Sequence, residues 1–261
     1  MGIVEMTGII TREIKYGDSS RILTVITKEG GRVSVLAGGV RAGRSGMLAA
    51  TQLFCYAKFT LFLGRSKSLY KLNAAEVIET FRGLKMSLED MAYASYLCDI
   101  TNATVQENHP DPEQLSLLLN ALYLLEHNKK PREQVKAAYE FRSLSLQGLL
   151  PPLSACSACG APEPVVFVPS AGAAYCASCK ALHSGEGIAC GKAILQAISY
   201  IAGAEDKHVF SFTLPPSSLR YLSALGEYCT ELFLEKHLKT LDYLNDIRAL
   251  EDENHAQEPG N

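Results

Sequence analysis

At 261 residues the chain exceeds what one compact core ordinarily holds, and 47% hydrophobic against 20% charged residues describes a folded protein rather than a disordered one. The opening MGIVEMTGIITREIKYGD mixes charges and lacks a long apolar run, so neither a signal peptide nor a membrane span is expected. In the reducing cytoplasm this implies, the eight cysteines are expected as metal ligands or buried thiols rather than disulfides.

The net charge of −3 names no partner, but it is unevenly distributed. Residues 1–80 hold 11 Lys/Arg against 6 Asp/Glu, a balance of +5, which leaves −8 for the remainder. The N-terminal part is therefore the candidate for binding a polyanion.

That part reads as strands. IVEMTGII, RILTVITK, RVSVLAGG, LFCYAKFTLFLG and SLYKLNAAEVIE are rich in β-branched and aromatic residues, with turn residues such as Lys28-Glu29-Gly30-Gly31 between them. Leu23, Val25 and Thr27, then Phe59, Leu61 and Leu63, alternate as strands with one buried face do. Five short strands in residues 1–80 predict a small barrel.

After the third strand, Gly38-Gly39-Val40-Arg41-Ala42-Gly43-Arg44-Ser45-Gly46 joins glycines, which let a backbone approach a ligand, to two guanidinium groups that suit phosphate oxygens. Basic surface loops are common, so a merely solvated loop is the competing reading. Arg32, Arg65, Lys67 and Lys71 lie on or beside neighbouring strands, where a barrel could gather them into one groove along a nucleic-acid backbone. Phe54, Tyr56, Phe59 and Phe62 could stack on bases, although strand parity sends at least half of them into the core.

At Ser87 the pattern turns helical. Ser87-Leu88-Glu89-Asp90 is a capping-box-like start for a helix over 88–104, and Asp111-Pro112-Glu113 starts a second carrying Leu115, Leu118, Leu119 and Leu122 on one face. Pro131 opens a third that runs to about Gly148 and ends before Pro151-Pro152. Gly191 to Ile201 is a further amphipathic helix. Pro215-Pro216-Ser217 begins a long one, striped by Leu222, Leu225, Cys229, Leu232 and Phe233 and expected to reach Leu244 or beyond. The polar tail, residues 248–261, is expected to lack structure.

The sharpest local signal is Cys156-Ser157-Ala158-Cys159, sixteen residues, then Cys176-Ala177-Ser178-Cys179. Two residues between cysteines let a tight turn aim both sulfurs at one point, and four thiolates complete the closed tetrahedron of a structural zinc ion. Gly160 suits the knuckle turn, Val165 to Val168 reads as a strand, and Ala171-Gly172 as its hairpin. Two unrelated pairs of buried or redox-active thiols are the bland alternative. A catalytic zinc would need an open position, and the His-x-Glu with Pro-Cys-x-x-Cys of deaminases is missing. His183 would be a fifth ligand and reads as a surface residue. Cys55, Cys98 and Cys229 fall on apolar stripes and read as core, while Cys190 has no assigned role. No G-x-x-x-x-G-K-[ST] loop occurs, and no enzyme is expected.

Taken in order, Tyr16-Gly17-Asp18 with Leu23-Thr24-Val25, the loop Gly39 to Ser45, the run Leu72-Asn73-Ala74-Ala75-Glu76-Val77-Ile78-Glu79 and the four-cysteine segment with the helix after it resemble the RecO family of recombination mediators, in its zinc-bearing branch, over about residues 1–245. The resemblance implies an α+β chain: an N-terminal OB-fold β-barrel (1–80), an all-α domain in two parts (81–150 and 188–247) and an inserted four-cysteine zinc-ribbon-like element (151–187). It implies binding of single- and double-stranded DNA, annealing of complementary strands, and partnership with RecR and the C-terminal tail of single-stranded DNA-binding protein in loading RecA. No nucleotide cofactor is implied. Arg41 and Arg44 match the family's basic loop, and Cys156, Cys159, Cys176 and Cys179 its metal ligands. Small residues stand in this loop where relatives often carry further Lys or Arg. A zinc-ribbon adaptor that binds proteins without touching DNA is the alternative function.

Overall fold

The structure is a computed structural model that describes residues 2–38, 45–63, 69–151, 153–162, 164–180 and 187–257. Its strands are concentrated in the N-terminal part and helices dominate the rest, an α+β arrangement.

Five strands come first: β1 (Gly2–Tyr16), β2 (Ser20–Thr27), β3 (Gly31–Ala37), β4 (Tyr56–Leu63) and β5 (Tyr70–Glu79), with a short helix α1 (Ser45–Ala50) between β3 and β4. They pair in the order β1-β2-β3-β5-β4, and β4 returns to β1, so the ring closes. All pairings are antiparallel except β3 with β5, which meet over only Val35↔Tyr70 and Leu36↔Lys71. Strand alternation fills the ring: Leu23, Val25, Val33, Val35, Phe59 and Leu61 point inward and are buried. β1 serves two neighbours, β4 along its first half and β2 along its second, and shifts register between Ile10 and Arg12, a bulge of the kind that bends a strand round a barrel.

The free part of the β3 edge does not stay open. Arg32 N–H donates to Gln106 O (3.1 Å), and Asn108 N–H donates back to Arg32 O (3.4 Å). The segment that follows the next helix thus blunts an edge that would otherwise offer itself to another chain.

That helix is α2 (Leu88–Thr104), followed by α3 (Pro112–Glu126). Both start where their caps require: Ser87 Oγ accepts from Asp90 N–H (3.2 Å), and Asp111 Oδ1 accepts from Gln114 N–H (3.0 Å), with Pro112 in the first turn. The last helix, α8 (Lys239–Gln257), joins this group through Thr240 Oγ1, which donates to Asp99 Oδ2 (3.0 Å). Barrel, α2, α3 and α8 make one compact unit, residues 1–127 and 239–261.

Residues 128–238 make the second unit. It holds α4 (Arg132–Leu146), the three-stranded sheet of β6 (Val166–Val168), β7 (Ala173–Tyr175) and β8 (Ile188–Ala189) in the order β7-β6-β8, the one-turn α5 (Ala177–Lys180), α6 (Lys192–Gly203) and α7 (Pro216–Leu234). α4 is buried on all sides from Gln134 to Phe141 and packs against α6 and α7. The long C-terminal helix expected from the sequence is two helices. α7 stops at Glu235, whose left-handed backbone (φ 49°) turns the chain, and the buried Leu238 closes the second unit before α8 begins in the first. α8 in turn carries helix as far as Gln257, into the segment expected to lack structure. Among the described residues no helix is long and apolar enough to cross a membrane.

Candidate metal centre and nucleic-acid interface

Two turns bring the four cysteines together. In the first, Gly160 N–H donates to Cys156 O (2.8 Å) and Cys156 N–H to Ala161 O (2.8 Å). Gly160 takes φ 72°, a left-handed conformation that glycine adopts without strain. The second turn begins where β7 ends: Cys176 follows Tyr175, α5 carries Cys179, and Lys180 N–H donates to Cys176 O (3.0 Å). The turns are tied to each other through Ser157, whose N–H donates to Ala174 O (2.8 Å) while its Oγ accepts from Ala174 N–H (3.1 Å). Ser157 escaped the sequence reading; the signal for it is a hydroxyl residue directly after the first cysteine.

The four Sγ atoms lie within 4.8 Å of one another, and Cys159 and Cys176 are 3.8 Å apart. A zinc ion about 2.3 Å from each of four sulfurs in a regular tetrahedron would set them about 3.8 Å apart, so the donor set fits a tetrahedral ion. Beneath lies a small apolar cluster of Val166, Val168, Ala173 and Tyr175. Cys156 is buried, Cys159 exposed and the other two half-buried. Backbone N–H of Cys176 above all, then of Cys159 and Ala158, draws the Cys156 thiol down to about 6. Hydrogen bonding with Cys159 and Cys176, followed by burial, pushes Cys179 up to about 12. Such a cluster holds protons that a divalent ion would displace. Among the described residues the cluster contains cysteines alone. His183 lies outside the described residues.

The remaining cysteines differ. Cys55, Cys98, Cys190 and Cys229 are buried, and desolvation pushes all four thiols up, Cys55 to about 11, which keeps them neutral.

Arg41, Arg44, Arg65 and Lys67 lie outside the described residues. Lys71 is exposed on β5, directly opposite Phe62 of β4. Arg32 turns toward α2: its guanidinium donates to Asn102 O and stands 3.5 Å from Glu107 Oε1. Of the four aromatics on and before the fourth strand, Phe54 and Phe59 are core, while Tyr56 and Phe62 are half-buried.

Comparison with known proteins bears on both features. The family description "Recombination protein O N terminal" matches residues 1–81, and "Recombination protein O C terminal" matches residues 86–242. The chain belongs to the RecO family. Among its relatives, the DNA repair protein RecO of Acetivibrio thermocellus is 33% identical over 254 residues, covering 95% of this chain and 98% of that protein. That of Symbiobacterium thermophilum is 35% identical over 192 residues, 72% of this chain and 74% of its own. The RecO of Caldicellulosiruptor saccharolyticus is 26% identical over 250 residues, 95% of this chain and all of its own length. The seam between the two matched parts of this RecO chain falls on the 3₁₀ turn Gly83–Lys85, and the cysteine cluster lies within the C-terminal part.

Proposed function

We propose that this RecO chain is a non-catalytic mediator of DNA repair and recombination in the cytoplasm. It binds single- and double-stranded DNA, anneals complementary strands, and with RecR helps load RecA onto DNA coated by single-stranded DNA-binding protein, whose C-terminal tail it also contacts. The observation that carries this reading is the family match along nearly the whole chain, joined to the +5 balance of residues 1–80. The ring order β1-β2-β3-β5-β4 supports an OB-fold for that part, a barrel widely used to hold oligonucleotides. Phosphate contacts are assigned to Arg41, Arg44, Arg65, Lys67 and Lys71. Arg32 is already committed to Asn102 and Glu107, so its part in DNA binding is the fastening of α2 to the barrel. Cys156, Cys159, Cys176 and Cys179 hold one Zn²⁺ as a structural staple, supported by the tetrahedral spacing of their sulfurs.

Salt-dependent DNA binding tests the reading. Wild-type affinity should fall steeply as salt rises. The variant Arg41→Ala with Arg44→Ala should bind more weakly to every sequence, with a log–log salt slope shallower by about 1 to 2, as expected when two phosphate contacts are lost. An unchanged slope in the double variant removes the loop from the interface, and a wild-type protein without DNA affinity favours the protein-binding adaptor. Annealing of strands covered by single-stranded DNA-binding protein, with and without a RecR partner, then tests the partner contacts: addition of RecR should accelerate annealing, and no effect would count against that partnership.

A further inference from the structure

The outward face of the barrel is divided along its strands. In one row the register sets Ile26 opposite Arg32, and this row is closed: Ile26 is fully buried and Arg32 is fastened to α2. Four residues along the strands another row is open. There Ile14 stands opposite Ile22, Ile22 opposite Leu36, and Leu36 beside Lys71. Their neighbours Leu23 and Val35 fill the core, so the alternation of the strands turns Ile22 and Leu36 outward. Tyr16 and Arg12 flank Ile14 two residues away on either side, on the same face. Tyr16 is 57% exposed and Ile14 49%, while Ile22 and Leu36 are half-buried.

Exposed Tyr16 and Ile14 continue into half-buried Ile22 and Leu36, an apolar strip that reaches solvent at one end and calls for an occupant. The cations Arg12 and Lys71 stand at its flank and its far end, both exposed, on the domain that holds the excess of positive charge. That combination matches a chain with apolar faces and regularly spaced anions. In a duplex the base faces are hidden in the stack; in a single strand they are available.

We propose that this row is a platform for the bases of single-stranded DNA: Tyr16 stacks on a base, Ile14, Ile22 and Leu36 support its neighbours, and Arg12 and Lys71 hold the phosphates. This rests on the DNA-binding reading above and adds to it the feature that tells single strands from duplex. Stacking acts on bases and charge on phosphates, so the two contributions separate experimentally.

Fluorescence anisotropy with the full chain and three labelled probes of one length makes that separation: oligothymidylate, a duplex, and an abasic sugar-phosphate strand. Tyr16→Ala should weaken oligothymidylate binding about tenfold or more while leaving duplex and abasic binding and the salt slope as in wild type. Tyr16→Phe, which keeps the ring, should bind as wild type does. If wild type binds all three probes and Tyr16→Ala is indistinguishable from it, the platform is wrong and the phosphate-binding reading stands; loss of RecR binding in that variant would then give the row to a protein. Equal losses on all three probes would also overturn it, because stacking has no part in abasic binding. If wild type binds none of the probes, the DNA-binding reading itself fails.

Discussion

Reduced, undamaged protein should contain about one zinc ion per chain, and a strong chelator should unfold the segment from Cys156 to Cys179 while leaving the barrel folded. The contrast follows from what each part has for a core. The barrel encloses Ile10, Leu23, Val25, Val35, Phe59 and Leu61, none of which depends on a metal. The cysteine segment has two three-residue strands over Val166, Val168, Ala173 and Tyr175, too little apolar area to offset the ordering of its backbone at roughly 1–2 kcal/mol per residue. A four-thiolate zinc site contributes on the order of 10–16 kcal/mol at neutral pH, a large stabilising contribution for so small a core. Hydrogen exchange should therefore show the amides of Cys156, Ser157, Gly160 and Ala174 losing protection after chelation, while those of β1 to β4 keep theirs. Cys159→Ser should behave like chelated protein. Acid should release the ion, because protons compete with it for all four sulfurs and metal affinity falls as the pH is lowered. Elemental analysis that finds no zinc, or amides that stay protected without it, would sink the assignment.

Much of this architecture was legible because local chemistry decides it. Ser87, Asp111-Pro112 and Pro131 each mark a helix start that the structure keeps within a residue: Ser87 and Asp111 satisfy backbone donors whatever the rest of the chain does, and Pro131 stands where its missing N–H costs nothing. The C-x2-C pairs were legible for the same reason: each needs only its own turn. What stayed hidden depends on distant partners. The ring closes through two residue pairs between β3 and β5, which no local pattern announces. The break at Glu235 lies in Leu-Glu-Lys-His-Leu, free of glycine and proline, where the left-handed turn and the burial of Leu238 override helix propensity. β1 runs to Tyr16, past the predicted end at Ile10, because its pairing changes from β4 to β2 around a bulge that alternation cannot show. For Arg32 the sequence shows the charge but not the Asn102 carbonyl that its guanidinium meets.

Replacing Lys136 by methionine should destabilise the second unit by about 3–5 kcal/mol, the usual effect of leaving a buried charge without its partner. Lys136 and Glu140 stand four apart in a helix, a spacing that on most helices marks a solvated face. Here both side chains are fully buried. Lys136 Nζ donates to Glu140 Oε2 (3.0 Å), Ser223 O (3.1 Å) and Ser223 Oγ (3.2 Å), and lies 3.0 Å from Glu140 Oε1 and 2.9 Å from Glu227 Oε1, which joins α4 to α7 through one ammonium group. Gly226 makes that approach possible, for a Cβ there would stand 2.3 Å from Glu140 Oε2. Removing only the cation leaves the Glu140 carboxylate in the core without the ammonium it faces, whereas Lys136→Met with Glu140→Leu removes both charges and leaves Glu227, which retains some exposure, to be hydrated. The double variant should therefore recover most of the loss, since an apolar pair of similar volume commonly equals a buried ion pair. Urea unfolding followed by hydrogen exchange at the α4 amides reads the second unit apart from the barrel. A loss below about 1 kcal/mol in Lys136→Met, or a double variant no better than the single, would show that this ionic cluster does not hold α4 against α7.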